Sequence, residues 1–132
     1  MIKKFISRLN KREEGAAAIE MAFALPIFIM LLWMVVQMGL VMRAVAGMQH
    51  ALGEGARLAT IYPTPTSNDI TNKITDRVYG IGPGTFSISD PVWNNSQGYV
   101  DLEVTYNQKT DLLFLPGPDV SLSRNKRVYV AN

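Results

Sequence analysis

Glu20 is a lone carboxylate at the head of an apolar run, Met21 to Met42, that carries no charged residue over 22 positions. Just before it stand Gly15-Ala16-Ala17-Ala18-Ile19. Two readings fit Glu20. An ionisable group held in a bilayer costs about 2.5–3.5 kcal/mol and marks a functional site. Near the inner edge of a span, the same group reaches the headgroups and favours the helix N-terminus through the macrodipole. A second set, His50, Glu54 and Arg57, has helix-neighbour spacing, which suits solvated ion pairs or a partner-binding patch. A third pair, Asp101 and Glu103, shares one side of a strand pattern, as acid–base carboxylates would. Outward strand charges are the ordinary reading of that pair, and no further group completes a catalytic set. The chain has no cysteine and one histidine, so thiol nucleophiles, disulfide frameworks and zinc sites drop out. No enzyme activity, cofactor or metal is expected.

These residues must be positioned by a membrane span. About 20 apolar residues cross a ~30 Å hydrocarbon core as a helix. Lys3, Lys4, Arg8, Lys11 and Arg12 crowd the leader, and basic flanks stay cytoplasmic, which predicts an inner-membrane protein with the later residues outside. The expected organisation is a basic leader over 1–15, a transmembrane helix over 16–42, its extracytoplasmic continuation over 43–60, and a small α+β periplasmic domain over 61–132. A secretory signal cut after Ala44-Val45-Ala46 competes, but the apolar run exceeds the usual core of about 7–15 residues. Thirteen basic and eleven acidic residues leave no basic stripe interleaved with aromatics, so nucleic acid is not an expected partner. Pro26 lies too deep for a first-turn proline and predicts a kink or local unwinding. Met30, Met34, Met38 and Met42 form a ridge that faces lipid or an adaptable subunit contact.

Past the span the helical pattern continues to about Thr60, where Tyr62-Pro63 and Pro65 end it. Ala44, Met48, Ala51, Leu52, Ala56 and Ala59 fall on one face, and Arg43, Gln49, His50, Gly53, Glu54 and Arg57 on the other. Gly47, Ala51, Gly55 and Ala59 recur every four residues, a row that permits close backbone approach. That row suits docking on the chain's own outer sheet or on another subunit.

Glu13-Glu14-Gly15-Ala16-Ala17-Ala18-Ile19-Glu20, the span with Pro26, and Gly53-Glu54-Gly55-Ala56-Arg57 together resemble a TadE-like minor pseudopilin of the tight-adherence (Tad/Flp) pilus system, within the type IV pilin-like superfamily. The resemblance covers about the first 60 residues. It implies cleavage by a prepilin peptidase between Gly15 and Ala16, with Glu20 as the glutamate at position five of the mature chain. Cleavage would replace the basic tether by a single ammonium on Ala16. A carboxylate on the same or a neighbouring subunit can meet that ammonium and set axial register. The implied partners are membrane lipid, the prepilin peptidase, the major Flp pilin, a second pseudopilin and an inner-membrane assembly platform driven by a cytoplasmic ATPase. The implied role is initiation or tip assembly of a surface pilus used for adhesion. The alternative is an unprocessed, membrane-anchored periplasmic binding domain.

For the outer domain the pattern predicts a short helix after Thr66-Ser67-Asn68-Asp69, with Ile70, Ile74 and Val78 on one face. Phe86 and Ile88 begin strand-like alternation, Asn94-Asn95-Ser96-Gln97-Gly98 reads as a turn, and Tyr99 to Tyr106 is the clearest strand. Leu112 to Leu115 reads as a loop or an edge. Val120, Leu122, Val128 and Val130 suggest a last strand, interrupted at Arg124 to Arg127 by a turn, a bulge or an exposed edge. Trp93 and Phe114 suit packing or a partner contact. The expected fold is α+β, a long N-terminal helix against a small antiparallel sheet.

Overall fold

The computed structural model describes residues 2–80 and 82–130, with side chains from Gly15 onward. The charged leader side chains from Lys3 to Glu14 therefore lie outside the described residues. Helix α1 runs Ile2–Ala59 and α2 runs Ser67–Arg77. Four strands follow: β1 Thr85–Ile88, β2 Val92–Asn94, β3 Tyr99–Asp111 and β4 Pro116–Tyr129. The chain divides into two compact units between Val36 and Gln37.

The first unit is helix alone. From Gly15 to Val36 every side chain is exposed except half-buried Met30, although nearly all are apolar. This helix is long and apolar enough to cross a membrane, and none of its most apolar window is buried within the chain. Large side chains such as Phe23, Phe28 and Leu31 point outward on all sides, as a lipid-facing helix requires.

The second unit starts at Gln37. Here one helical face is buried: Ala44, Met48, Ala51, Leu52, Ala56 and Ala59. Arg43, Gln49, His50 and Arg57 stay exposed on the opposite face. Ile70 and Ile74 of α2 and Val100, Leu102, Val104 and Tyr106 of β3 complete the core, with Val128 of β4. The helix closes when Thr60 N–H and Oγ1 both bond to the Arg57 carbonyl, at 3.3 and 2.9 Å, before the proline-rich link. A capping box then starts α2. Thr66 Oγ1 accepts from Asp69 N–H at 3.2 Å, and an Asp69 carboxylate oxygen accepts from Thr66 N–H at 3.0 Å.

Every strand pairing is antiparallel, and β3 is central. β1 and β2 share one edge of β3, with Ile88 opposite Val104 and Val92 opposite Asp101. Between these pairs the β1–β2 edge has one more residue than β3, so buried Pro91 sits at a bulge. The short β2 was not expected as a separate strand. The Asn94–Gly98 turn joins β2 to β3, and Gly98 at φ +65° supplies its left-handed position. Asn94 Oδ1 accepts from Ser96 Oγ at 2.7 Å and from Gln97 N–H at 3.2 Å, so the side chain holds the turn.

Of the three accounts of Arg124 to Arg127, β4 shows the exposed edge. It pairs with β3 from Pro116 to Tyr129, straight through Arg124–Arg127. Arg124 and Lys126 occupy the same phase as Leu122 and Val128 but remain exposed. Charges in the core-facing phase of an edge strand discourage pairing with another sheet. What looked like a break in pattern is an edge strand with charged inward positions.

Candidate functional site

Ala16 and Glu20 lie one helical turn apart, on the same face of α1, and both are exposed. Gly15 has no heavy atom within 4 Å of the position a Cβ would take. Among the described residues Glu20 has no ion-pair or hydrogen-bond partner. Its carboxylate thus stands unpaired at the start of an apolar surface, where a buried charge lacking a counter-charge is costly. Pro26 lies inside α1, in the fully exposed stretch.

The small-residue row lies in the second unit. A methyl group on Gly47 would land on the Tyr79 carbonyl, and one on Gly55 would meet Ile74 Cγ1 at 2.5 Å and Leu102 Cδ1 at 3.6 Å. Ala51 and Ala59 are buried. The neighbours of this row are thus the backbone after α2, α2 itself and β3. Gly53, on the other side, meets nothing within 4 Å.

The His50, Glu54 and Arg57 set does not come together as ion pairs among the described residues. His50 instead lies against the Tyr79 ring, 5.8 Å between centroids and tilted by 54°. Asp101 and Glu103 also separate in role. Asp101 accepts both Arg127 Nε and Nη2 at 2.8 Å, whereas Glu103 accepts from Ser123 Oγ at 2.8 Å. The Arg127 guanidinium holds the Asp101 carboxyl below the usual carboxylate range, and the carboxylate in turn raises Arg127. Arg127 also covers the Tyr99 ring at 3.9 Å, and Tyr129 meets that ring edge-on at 6.0 Å. This outer sheet face carries a lattice of cross-strand side-chain pairs. Among the described residues no group of three His, Asp or Glu is placed to hold a metal ion.

Two features escaped the sequence reading. Gln37, the only amide in the apolar run, is buried and its Nε2 donates to the Asp111 carbonyl. A cleft of about 720 Å³ follows the C-terminal end of α1, lined in part by Tyr62, Thr64, Ser67 and Trp93. Trp93 Nε1 donates to Ser67 Oγ at 2.9 Å, so this indole is engaged in packing β2 against α2. The solitary glutamine was the available signal for the first; nothing local marks the second.

A helix long and apolar enough to cross a membrane, whose later half packs in the core of a small four-stranded antiparallel domain, defines an α+β protein of pilin-like layout. Residues 15–57, about a third of the chain, match the family model described as TadE-like protein. The match opens at Gly15 and takes in Ala16, Glu20, Pro26 and most of the small-residue row, but neither α2 nor the sheet. No curated protein and no solved structure matches the chain. The match is to a family associated with the Tad pilus, and it covers the apolar helix and its continuation alone.

Proposed function

We propose that the chain is a minor pseudopilin, cut after Gly15 by a prepilin peptidase, that takes part in initiating or capping a Tad/Flp pilus. The observation that carries this reading is the unpaired Glu20 one turn from Ala16, in a family match that begins at Gly15. Before cutting, the basic leader keeps the helix end in the cytoplasmic water layer and opposes its extraction from the bilayer. Cutting removes that tether and creates an ammonium on Ala16. In the apolar interior of a filament this ammonium and the Glu20 carboxylate of an adjoining subunit satisfy one another. The value of such a pair lies in register, because a misplaced subunit leaves both charges unmatched. Helix α1 extends on both sides of Gly15, and glycine makes that turn about 1 kcal/mol easier to open than alanine would. Local opening is what a peptidase acting on an extended bond needs.

The partners on this reading are the peptidase, the assembly platform, a second pseudopilin and the major Flp pilin. The small outer domain projects on the periplasmic side until assembly carries it to the cell surface. Intact-mass measurement on protein purified from cells with active peptidase tests the reading directly. A chain beginning at Ala16 supports it. A chain beginning at Met1 would instead establish an unprocessed anchored domain, and one beginning at Gly47 a secreted domain.

A further inference from the structure

We infer that the cleft beyond the C-terminal end of α1 is a binding site for a neutral oligosaccharide, a short run of pyranose rings bearing no acidic or basic group. The cleft lies wholly within the second unit, and the inference does not depend on processing at Gly15. At about 720 Å³ the cleft falls within the size range of small-molecule sites, about 300–1,000 Å³.

Its lining sets the class of ligand. Among the described residues no charged side chain lines it, although the chain carries thirteen basic and eleven acidic residues. A phosphate, a carboxylate or an ammonium would enter without a counter-charge, and desolvating an unpaired ion is costly. Two aromatic rings line it instead, those of Tyr62 and Trp93. Tyr62 is 93% exposed, so its ring adds nothing to the core and is open to a ligand. The Tyr62 phenol, the Thr64 hydroxyl and the Asn95 amide have no hydrogen-bond partner among the described residues. A pyranose presents an apolar C–H face and a rim of hydroxyls that both donate and accept. The face matches an aromatic ring, and the rim matches hydroxyl and amide groups that likewise donate and accept. A proline-rich peptide would match the rings alone, because proline has no N–H to offer the oxygens of Thr64 and Asn95.

The walls are fixed before any ligand arrives. Trp93 Nε1 donates to Ser67 Oγ at 2.9 Å, which holds the indole against the start of α2. The neighbouring Thr66 is held by the capping box with Asp69. Asn95 belongs to the turn that the Asn94 side chain secures through Ser96 and Gln97. Lining groups already held in place lose little freedom on binding.

The full chain with Trp33→Phe keeps Trp93 as its single tryptophan. In lauryldimethylamine oxide micelles, which carry no sugar, it would be titrated with maltotriose, cellotriose, mannotriose, tri-N-acetylchitotriose and, separately, octaproline. Trp93 fluorescence reports occupancy of the cleft, and ligand-observed saturation-transfer NMR reports binding that leaves the fluorescence unchanged. The expected result is saturable binding of at least one trisaccharide. Tyr62→Ala and Asn95→Ala, both at exposed positions, should each weaken it by about three- to tenfold. Tyr129→Ala, at an exposed aromatic outside the lining, should leave it unchanged. No binding of any trisaccharide by either readout up to about 10 mM would overturn the inference. So would binding that survives both Tyr62→Ala and Asn95→Ala at full strength. Binding of octaproline alone would make the cleft a peptide groove and overturn it as well.

Discussion

Gly47 gives the sharpest test of how α1 supports the outer domain. Replacing it with alanine sets two effects against each other. The helix gains about 1 kcal/mol in propensity, while the added methyl is driven into the Tyr79 backbone carbonyl. A backbone carbonyl cannot rotate away as a side chain can, so the overpacking cost falls in the upper part of the usual range, about 2–3 kcal/mol. Gly47→Ala should therefore lose about 1–2 kcal/mol net. Gly53→Ala is the internal control, because a Cβ there meets nothing within 4 Å. It keeps the propensity gain alone and should stabilise by up to about 1 kcal/mol. The propensity and unfolded-chain contributions are common to both variants and cancel in the comparison. What remains, about 2–3 kcal/mol, is the cost of parting helix and linker. For a unit of roughly 100 residues, 1 kcal/mol moves Tm by about 4 °C or somewhat more. Thermal unfolding of the full chain in detergent micelles, followed by near-ultraviolet circular dichroism, reads this through Tyr106 and Trp93. Equal Tm values for the two variants, or a higher one for Gly47→Ala, would refute the close approach. Gly55→Ala should fall between them, since the atoms it meets belong to the movable Ile74 side chain.

Glu20→Gln should insert and be processed normally yet reduce pilus number, measured by counting surface fibres in cells complemented with the variant; undiminished fibres would remove Glu20 from assembly. Thr66→Ala removes the oxygen that caps Asp69 N–H and should cost about 1 kcal/mol by urea unfolding, with Thr66→Ser nearly neutral. Acid should weaken the outer domain through Asp101, whose folded pKa lies below its unfolded value because Arg127 donates to it, and through Asp69, lowered by bonds from the Thr66 side chain and backbone. A depressed carboxyl pKa contributes stability that is complete above the unfolded value and is lost as pH falls through the folded one. Tm measured downward from neutral pH should therefore fall below about pH 4, and less steeply in Asp101→Asn. High salt should shrink the difference between Asp101→Asn and the parent, because that pair is exposed.

Much of the fold was legible because periodicity records burial. The helical face from Ala44 to Ala59 and the alternation from Val100 to Tyr106 are both patterns in which one side of an element meets apolar atoms. The capping box was legible for a local reason, since Thr66 and Asp69 satisfy each other without help from the rest of the chain. β4 was not, because Arg124 and Lys126 occupy core-side positions on an uncovered edge, so side-chain polarity there reports exposure rather than strand geometry. β2 was hidden by its three-residue length and by the bulge at Pro91. As for the candidate site, Glu20 stood out as a lone carboxylate at the head of the apolar run, whereas Gly15 and Ala16 were named only through the family resemblance. The expected pairing of Glu54 with His50 or Arg57 could not be judged from spacing, because the Tyr79 ring that His50 meets is 29 residues away in sequence.

The change in character at Gln37 explains why one helix can serve two solvents. Up to Val36, large apolar residues occur around the whole circumference, which suits lipid because acyl chains conform to any side-chain shape. From Ala44 onward, small residues gather on one face, and there the partner is a fixed protein surface that must come close to the helix backbone. The two segments therefore respond differently to the same substitution. Enlarging a small residue in the first should change little while the chain sits in lipid, whereas at Gly47 it displaces a backbone carbonyl. Gln37 stands at the junction because it is the first polar side chain of the run and has a protein carbonyl, that of Asp111, to satisfy it. Placed in the hydrocarbon without a partner, the same amide would be costly. The position of this single glutamine thus ties the end of β3 to the first turn of the helix within the second unit.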